Sequence, residues 1–331
     1  MALALALAAC GEKSESVTGE PKAHEFDLAL DWFPNPDHVA IYEAEKERYF
    51  ADVGLDVKPH VPSDPAAPIK QVAAGRVDLA ISYEPEVLLA RDKKLPVVAI
   101  AALVQRPLTS LMSREPQITP RKLRGGRVGT AGIPYQSAYL KTILERAGVK
   151  PSSVKETNVG ANLLPAMLSR KVDATLGAFW NVEGVELAQR ACPKNIRTCR
   201  DLTITPVDKL GVPDYDELVL VANTDTLDDK RDDLRLFIGA LAKGAREARR
   251  DPRGAASALL DANPDLKPKT TRESVRVTLP ALFPGSGRPW GYLDPAQWRT
   301  YGAWMQDKQL LEQAPNTSEA LTNELLPGEG L

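Results

Sequence analysis

Downstream of its first two dozen residues the chain alternates extended runs with helical ones, and this alternation limits its fold more than any other feature. Strand-like runs at 26–33, 55–61 and 78–82 are separated by runs of helical period at 39–50 and 66–74. A β-α-β-α-β order builds a parallel sheet with helices on its faces, because a parallel crossover returns the chain through a helix. After Met112 the pattern restarts, with strands at 127–131, 154–159 and 173–177, helices at 135–147 and 162–169, and another helix from Asn181. Two α/β lobes are therefore expected, as a chain of 331 residues also suggests at roughly 150 residues per domain. The segments 74–80 and 169–175 echo each other, each a helix end delivering an aspartate, Asp78 or Asp173, into a short buried strand. Beyond a strand at 217–223, Leu234, Phe237, Ile238, Leu241, Ala242 and Ala245 fall on one face of a long helix that needs a sheet to cover. The simplest place for this tail is on the first lobe, which makes that lobe discontinuous.

Composition narrows the function. Lys and Arg number 42 against 44 Asp and Glu, a balance without the basic excess of a nucleic-acid binder. Residues 1–10 are apolar, end in small side chains and stop at Cys10, which reads as a signal peptide closed by a lipid-accepting cysteine. No Lys or Arg precedes Cys10, a departure from the usual signal peptide. Residues 11–23 read as a flexible linker. If Cys10 carries lipid, the other two cysteines, Cys192 and Cys199, are an even pair outside the reducing cytoplasm, so a disulfide is expected, two free thiols being the alternative. None of the three histidines stands near them at a zinc-ligand spacing, and no metal is expected.

Five loops, each after a strand and before a helix, gather aromatic and polar residues where open α/β sheets hold ligands. They carry Trp32, Asn35 and His38; Tyr83, Glu84 and Glu86; Pro134; Asn158 and Asn162; and Phe179, Trp180, Asn181 and Glu183. Singly, each aromatic has a core explanation and each Asn a capping one; together they suggest one cleft. None of the five loops contains Lys or Arg. The motifs of serine hydrolases, P-loop enzymes and zinc peptidases are missing, and no catalytic constellation emerges.

The run Leu-Asp-Trp-Phe-Pro-Asn-Pro-Asp-His at 30–38 resembles the start of the substrate-binding lipoproteins of bacterial ABC importers for thiamine-pyrimidine precursors. This is the formylaminopyrimidine-binding group of the SsuA/THI5-like superfamily. Similar motifs follow at 62–65, 82–87, 132–134, 179–184, 211–215 (which adds Tyr215) and 289–292. The resemblance implies a type II periplasmic-binding-protein fold, two doubly wound α/β lobes joined by a two-strand hinge. Residues 24–112 and 220–331 are expected in lobe 1 and 113–219 in lobe 2, with the hinge near 110–114 and 218–222. It further implies a lipid-anchored, extracytoplasmic, monomeric protein without a cofactor, partnered by a permease and its ATPase.

The same superfamily holds fungal enzymes that build the thiamine pyrimidine from their own histidine. The resemblance puts their pyridoxal-phosphate lysine at Ser82, their sacrificial histidine at Glu86 and their cysteine-rich run at 212–216, and none of those side chains can do that chemistry. A flat pyrimidine suits stacking on Trp32, Tyr83, Phe179 or Trp180, with Glu183 as the polar anchor of its edge. Riboflavin, a sulfonate such as taurine, or nitrate are the alternative ligands, and an anion would call for basic residues that the loops lack.

Overall fold

The computed structural model describes residues 23–64, 66–192, 201–283 and 287–327. The expected signal peptide, Cys10 with its lipid, nearly all of the linker and Cys199 lie outside them. The first sheet holds β1 (His24–Ala29), β2 (Leu55–His60), β3 (Leu79–Ser82), β4 (Val97–Val104) and β10 (Leu218–Asn223) in the order β2-β1-β3-β10-β4. The second holds β5 (Thr109–Ser113), β6 (Arg127–Thr130), β7 (Lys155–Asn158), β8 (Ala174–Phe179) and β9 (Thr203–Pro206) in the order β7-β6-β8-β5-β9. The two orders are the same plan drawn twice. In each sheet one strand runs against its neighbours, β10 in the first and β5 in the second. Each reversed strand is the one the chain enters directly from a passage between the lobes.

That exchange moves the expected lobe boundaries. Thr109 pairs with Phe179 and Ser110 with Pro206, so β5 belongs to the second sheet, and the chain passes between lobes at 105–108 rather than at 110–114. Leu218 pairs with Val104 in the first sheet, so lobe 1 resumes before residue 220 and the second passage is the stretch ending at Glu217.

Helices cover both faces of the first sheet, as a doubly wound sheet requires. On one face, α1 (Val39–Lys46), α7 (Arg231–Arg250) and α8 (Pro252–Ala262) enclose Phe26 and Leu28. Phe237 of α7 stacks between Phe26 and Phe50, with both ring centroids 5.1 Å away. On the other, α2 (Ala67–Ala73) and α3 (Glu84–Asp92) cover Ala29 and Ala80. The tail helices α10 (Pro295–Asp307) and α11 (Thr317–Ala320) pack on α3. The tail also caps the edge of β4, where Ala102 N donates to Gly291 O (2.8 Å) and Thr322 N to Ala99 O (2.9 Å). An open edge there would be a template for aggregation.

The sequence echo at 74–80 and 169–175 has a physical basis. Asp78 Oδ2 accepts from Asp27 N at 2.7 Å, and Asp173 Oδ2 accepts from Arg127 N at 2.8 Å. The backbone returns the bond in both lobes, Asp78 N to Asp27 O (3.0 Å) and Asp173 N to Arg127 O (2.9 Å). Each aspartate thus extends the β1–β3 or β6–β8 ladder by one side-chain rung before the strand itself begins.

Candidate functional site

The carboxyl ends of β1, β3, β6, β7 and β8 point at the crevice between the lobes, and a cavity of about 180 Å³ lies there. Lobe 1 contributes Asp31, Trp32 and Tyr83; Thr109 at the start of β5 and Glu217 at the end of the second passage join them. Lobe 2 contributes Ile133, Tyr135 and Gln136 around the start of α4 (Pro134–Arg146), Gly160, Ala161 and Leu163 at the start of α5 (Leu163–Leu168), and Gly177, Phe179 and Glu183 around the start of α6 (Glu183–Ala191).

Four rings shape the cavity. Phe179 stands edge-on to Trp32 (centroids 6.2 Å apart, 84°) and to Tyr83 (6.5 Å, 74°), while Tyr135 closes the lobe 2 side. Asp31 is held from two directions, its Oδ2 accepting from Tyr83 Oη (2.7 Å) and its Oδ1 bonded to His38 Nε2 (2.7 Å). Because His38 Nδ1 accepts from Asn35 N (3.4 Å), the ring proton resides on Nε2. Gln136 Oε1 accepts from Ala131 N (2.8 Å) and its amide rests on Gly177, where a Cβ would come within 2.6 Å of Nε2. With φ at +123°, position 177 also favours glycine on backbone grounds.

Two further carboxyls are poised near neutrality. Glu183 Oε2 accepts from Phe179 N (2.9 Å), yet burial pushes its pKa up to about 7. Glu217 accepts from Leu108 N (2.6 Å), Thr109 N (2.8 Å) and Tyr215 Oη (2.9 Å) through Oε2 and from Thr109 Oγ1 (3.1 Å) through Oε1, and burial raises it to about 7 as well. No Lys or Arg lines the cavity among the described residues.

Of the residues singled out in the sequence, Trp32, Tyr83, Phe179 and Glu183 line the cavity. The rest stand behind or beside it. Asn35 caps the turn at Pro36–His38 and His38 braces Asp31. Glu84 turns toward the second passage, accepting from Asp216 N (2.7 Å) and from Gln297 Nε2 (3.0 Å). Glu86 and Pro134 line a separate cavity of about 440 Å³ beside α2 and α3. Asn158 bonds Gly160 N (2.9 Å), and Asn162 precedes α5 without capping it through its side chain. Trp180 Nε1 donates to Pro107 O (3.1 Å), fastening lobe 2 to the first passage. Asn181 is buried against Asp37 and Thr278. Tyr215 stacks with Tyr301 (4.8 Å) in an aromatic cluster behind Glu217. Cys192 is disulfide-bonded, its expected partner lying outside the described residues.

Asp31, Thr109, Tyr135, Gln136, Gly177 and Glu217 are among the lining residues not singled out in the sequence. Asp31, Tyr135 and Gln136 sit beside residues it did choose, whereas Thr109 and Glu217 carry no local signal. Among the described residues no cluster of His, Cys, Asp and Glu suits a metal, and no helix is long and apolar enough to cross a membrane.

A family model described as NMT1/THI5 like matches residues 35–255. The formylaminopyrimidine-binding protein of Halalkalibacterium halodurans is 33% identical over 96% of this chain and 95% of its own. A 4-amino-5-hydroxymethyl-2-methylpyrimidine phosphate synthase of Uromyces fabae is more distant, 26% identical over 70% of this chain and 68% of its own. Among solved structures, the alkanesulfonate-binding protein SsuA of Xanthomonas axonopodis pv. citri, bound to MOPS, superposes with a TM-score of 0.69. That match covers 92% of this chain and 99% of the other at 14% identity, a likeness of fold.

Proposed function

From a chain that belongs to the NMT1/THI5-like family, we propose a solute-binding protein of an ABC importer whose cleft captures a small aminopyrimidine of the formylaminopyrimidine kind. The observation that carries this reading is the cavity wall: four aromatic rings, three carboxyls and no Lys or Arg among the described residues. Its volume of about 180 Å³ suits a ligand with a single substituted ring. Asp31, Glu183 and Glu217 would repel a sulfonate or nitrate, and no cation in the wall offsets them.

The carboxyls also suit the ligand edge. An aminopyrimidine presents an N–H beside a ring nitrogen, and a carboxyl near its pKa offers an acceptor oxygen together with a proton to share. Glu183, whose pKa of about 7 follows from burial, is the group we assign to that edge, with the rings of Trp32 and Phe179 in the same wall. Binding rather than synthesis is favoured by the side chains themselves: Ser82, where the related enzymes would need a lysine, is buried under the cleft and has no amine.

Delivery to a permease on the outer side of the membrane, with Cys10 carrying the lipid anchor, completes the reading. Calorimetry of the purified protein against formylaminopyrimidine, hydroxymethylpyrimidine, thiamine, riboflavin and taurine tests it. Tight binding confined to the single-ring pyrimidines is expected, and a preference for taurine or riboflavin overturns it. Release of a Cys10→Ala variant from the membrane fraction is expected in cells.

A further inference from the structure

We propose that the buried contact among Asp37, Asn181 and Thr278 is a latch that holds the lobes together over the cleft, and that it works with Asp37 protonated. The three residues come from three parts of the chain. Asp37 lies in the turn after β1 in lobe 1, Asn181 between β8 and α6 in lobe 2, and Thr278 at the end of the tail helix α9 (Pro268–Thr278). Asn181 Nδ2 spends both its protons across the gap, on Asp37 Oδ1 (2.6 Å) and on Thr278 Oγ1 (2.8 Å). All three side chains are buried, so parting the lobes would break both bonds and admit water. The outer edge of the same seam is weaker and wetter, formed by Lys267 with Glu186 (3.0 Å) and Thr270 with Gln189 (2.7 Å).

Two atoms of the latch point to the proton. Asp37 Oδ2 and Asn181 Oδ1 are both buried without a hydrogen-bond partner among the described residues. Two bare acceptors in one contact are costly, whereas a proton on Asp37 turns one of them into a donor for the other after a small rotation. The charges around Asp37 agree. It is faced by Asp31 from its own loop, Glu217 from the second passage and Glu183 from α6, all of which, with burial as the largest cause, hold its carboxyl well above the ordinary 3.8. The neighbouring His38 directs its Nε2 to Asp31 instead.

The sign follows. Opening hydrates the carboxyl and returns it toward its ordinary value, so the closed form holds more protons than the open one. Closure is then fully supported at acid pH and weakens as pH rises toward the raised value. Because Asn181 lies between the lining residues Phe179 and Glu183, the latch and the cavity wall move as one piece.

The ligand arm of the test rests on the proposed function; the scattering arm does not. Association and dissociation of formylaminopyrimidine are followed by tryptophan fluorescence across about pH 5 to 9 for wild type, Asp37→Asn and Asn181→Ala. Solution scattering of the ligand-free proteins is measured alongside, with far-UV circular dichroism as the check on folding. Asp37→Asn supplies the donor and acceptor of the protonated acid in the same shape. It is expected to keep a slow dissociation rate at high pH, where the wild type speeds up; titrations of Glu183 and Glu217 are shared and cancel in the comparison. Asn181→Ala is expected to dissociate about tenfold faster and to scatter as a more open particle. Parallel pH profiles for wild type and Asp37→Asn, or an Asn181→Ala protein with wild-type scattering and dissociation, overturn the latch. If the wild type binds no pyrimidine, the ligand assignment falls while the scattering of Asn181→Ala still decides the latch.

Discussion

Glu217 and Thr109 are joined twice, the backbone N–H of Thr109 to Oε2 at 2.8 Å and its hydroxyl to Oε1 at 3.1 Å. Thr109 opens the first strand of lobe 2 and Glu217 immediately precedes the returning strand of lobe 1, so this pair makes one stapled unit of the two passages. Both residues also line the cavity, so the stapled passages form part of its wall.

Replacing Glu217 by Ala leaves the Leu108 and Thr109 N–H groups and the Tyr215 hydroxyl unmet in a buried place. A loss of about 1–3 kcal/mol per orphaned donor at most is expected, read by denaturant unfolding. The pH dependence has a definite sign. Burial raises Glu217 from 4.5 to about 7, so the folded state holds the extra proton, and its contribution is full below 4.5 and lost as pH rises through 7. Glu217→Gln should remove that part of the slope between these values, and an unchanged slope would show that the staple does not titrate there.

Glu183→Gln keeps the volume and one acceptor. If Glu183 meets the pyrimidine edge, calorimetry should show affinity falling by about one to two decades, the worth of a hydrogen bond to a charged group. Stability alone should change by only about 0.3–1 kcal/mol if the carboxyl merely complements the start of α6, and affinity equal to wild type would move the anchor to Glu217 or Asp31.

Gly177→Ala attacks the wall from behind. A methyl group there meets the Gln136 amide and strains a backbone with φ at +123°. Destabilisation of about 1–3 kcal/mol is expected, with Gln136 pushed toward the cavity and weaker pyrimidine binding by titration. Unaltered binding would place the ligand away from Gln136.

Asp78→Ala and Asp173→Ala should behave as a matched pair, since each removes one rung between neighbouring parallel strands. About 0.5–1.5 kcal/mol each is expected from the lost bond, and the two should add in the double variant because they lie in different lobes. Arg127 holds the Asp173 carboxyl below its ordinary 3.8, so its small, mostly solvent-screened share is present above that value and fades as pH falls below it. Thermal unfolding of the three variants checks both points.

Much of this architecture is written in the periodicity of the chain. The alternating runs name β1, β2, β3, β6, β7 and β8 with the helices between them, and the stripe on α7 is buried as its spacing demands. β4 escapes because all eight of its residues are buried, which erases the alternation that marks a strand with one wet face. β5 is a short, fully buried strand too, and nothing local in it says which sheet it joins. Of the residues chosen at strand ends, the aromatics Trp32, Tyr83 and Phe179 line the cavity, while Glu84 and Glu86 do not. Helical geometry turns successive side chains by about 100°, so the helix that starts beside Tyr83 carries Glu84 to the passage and Glu86 to another cavity. Thr109 and Glu217 are invisible for a different reason: they meet across 108 positions of sequence.

The route of the chain also sets an order of assembly. Lobe 2 draws all five of its strands from one uninterrupted stretch, Thr109 to Pro206, whereas the first sheet holds a gap between β3 and β4 until β10 arrives. A growing chain can therefore complete the second lobe first, with the earlier-made strands waiting, their apolar faces uncovered, for α7 and the tail that follows. Until that tail is in place the first lobe stays unfinished.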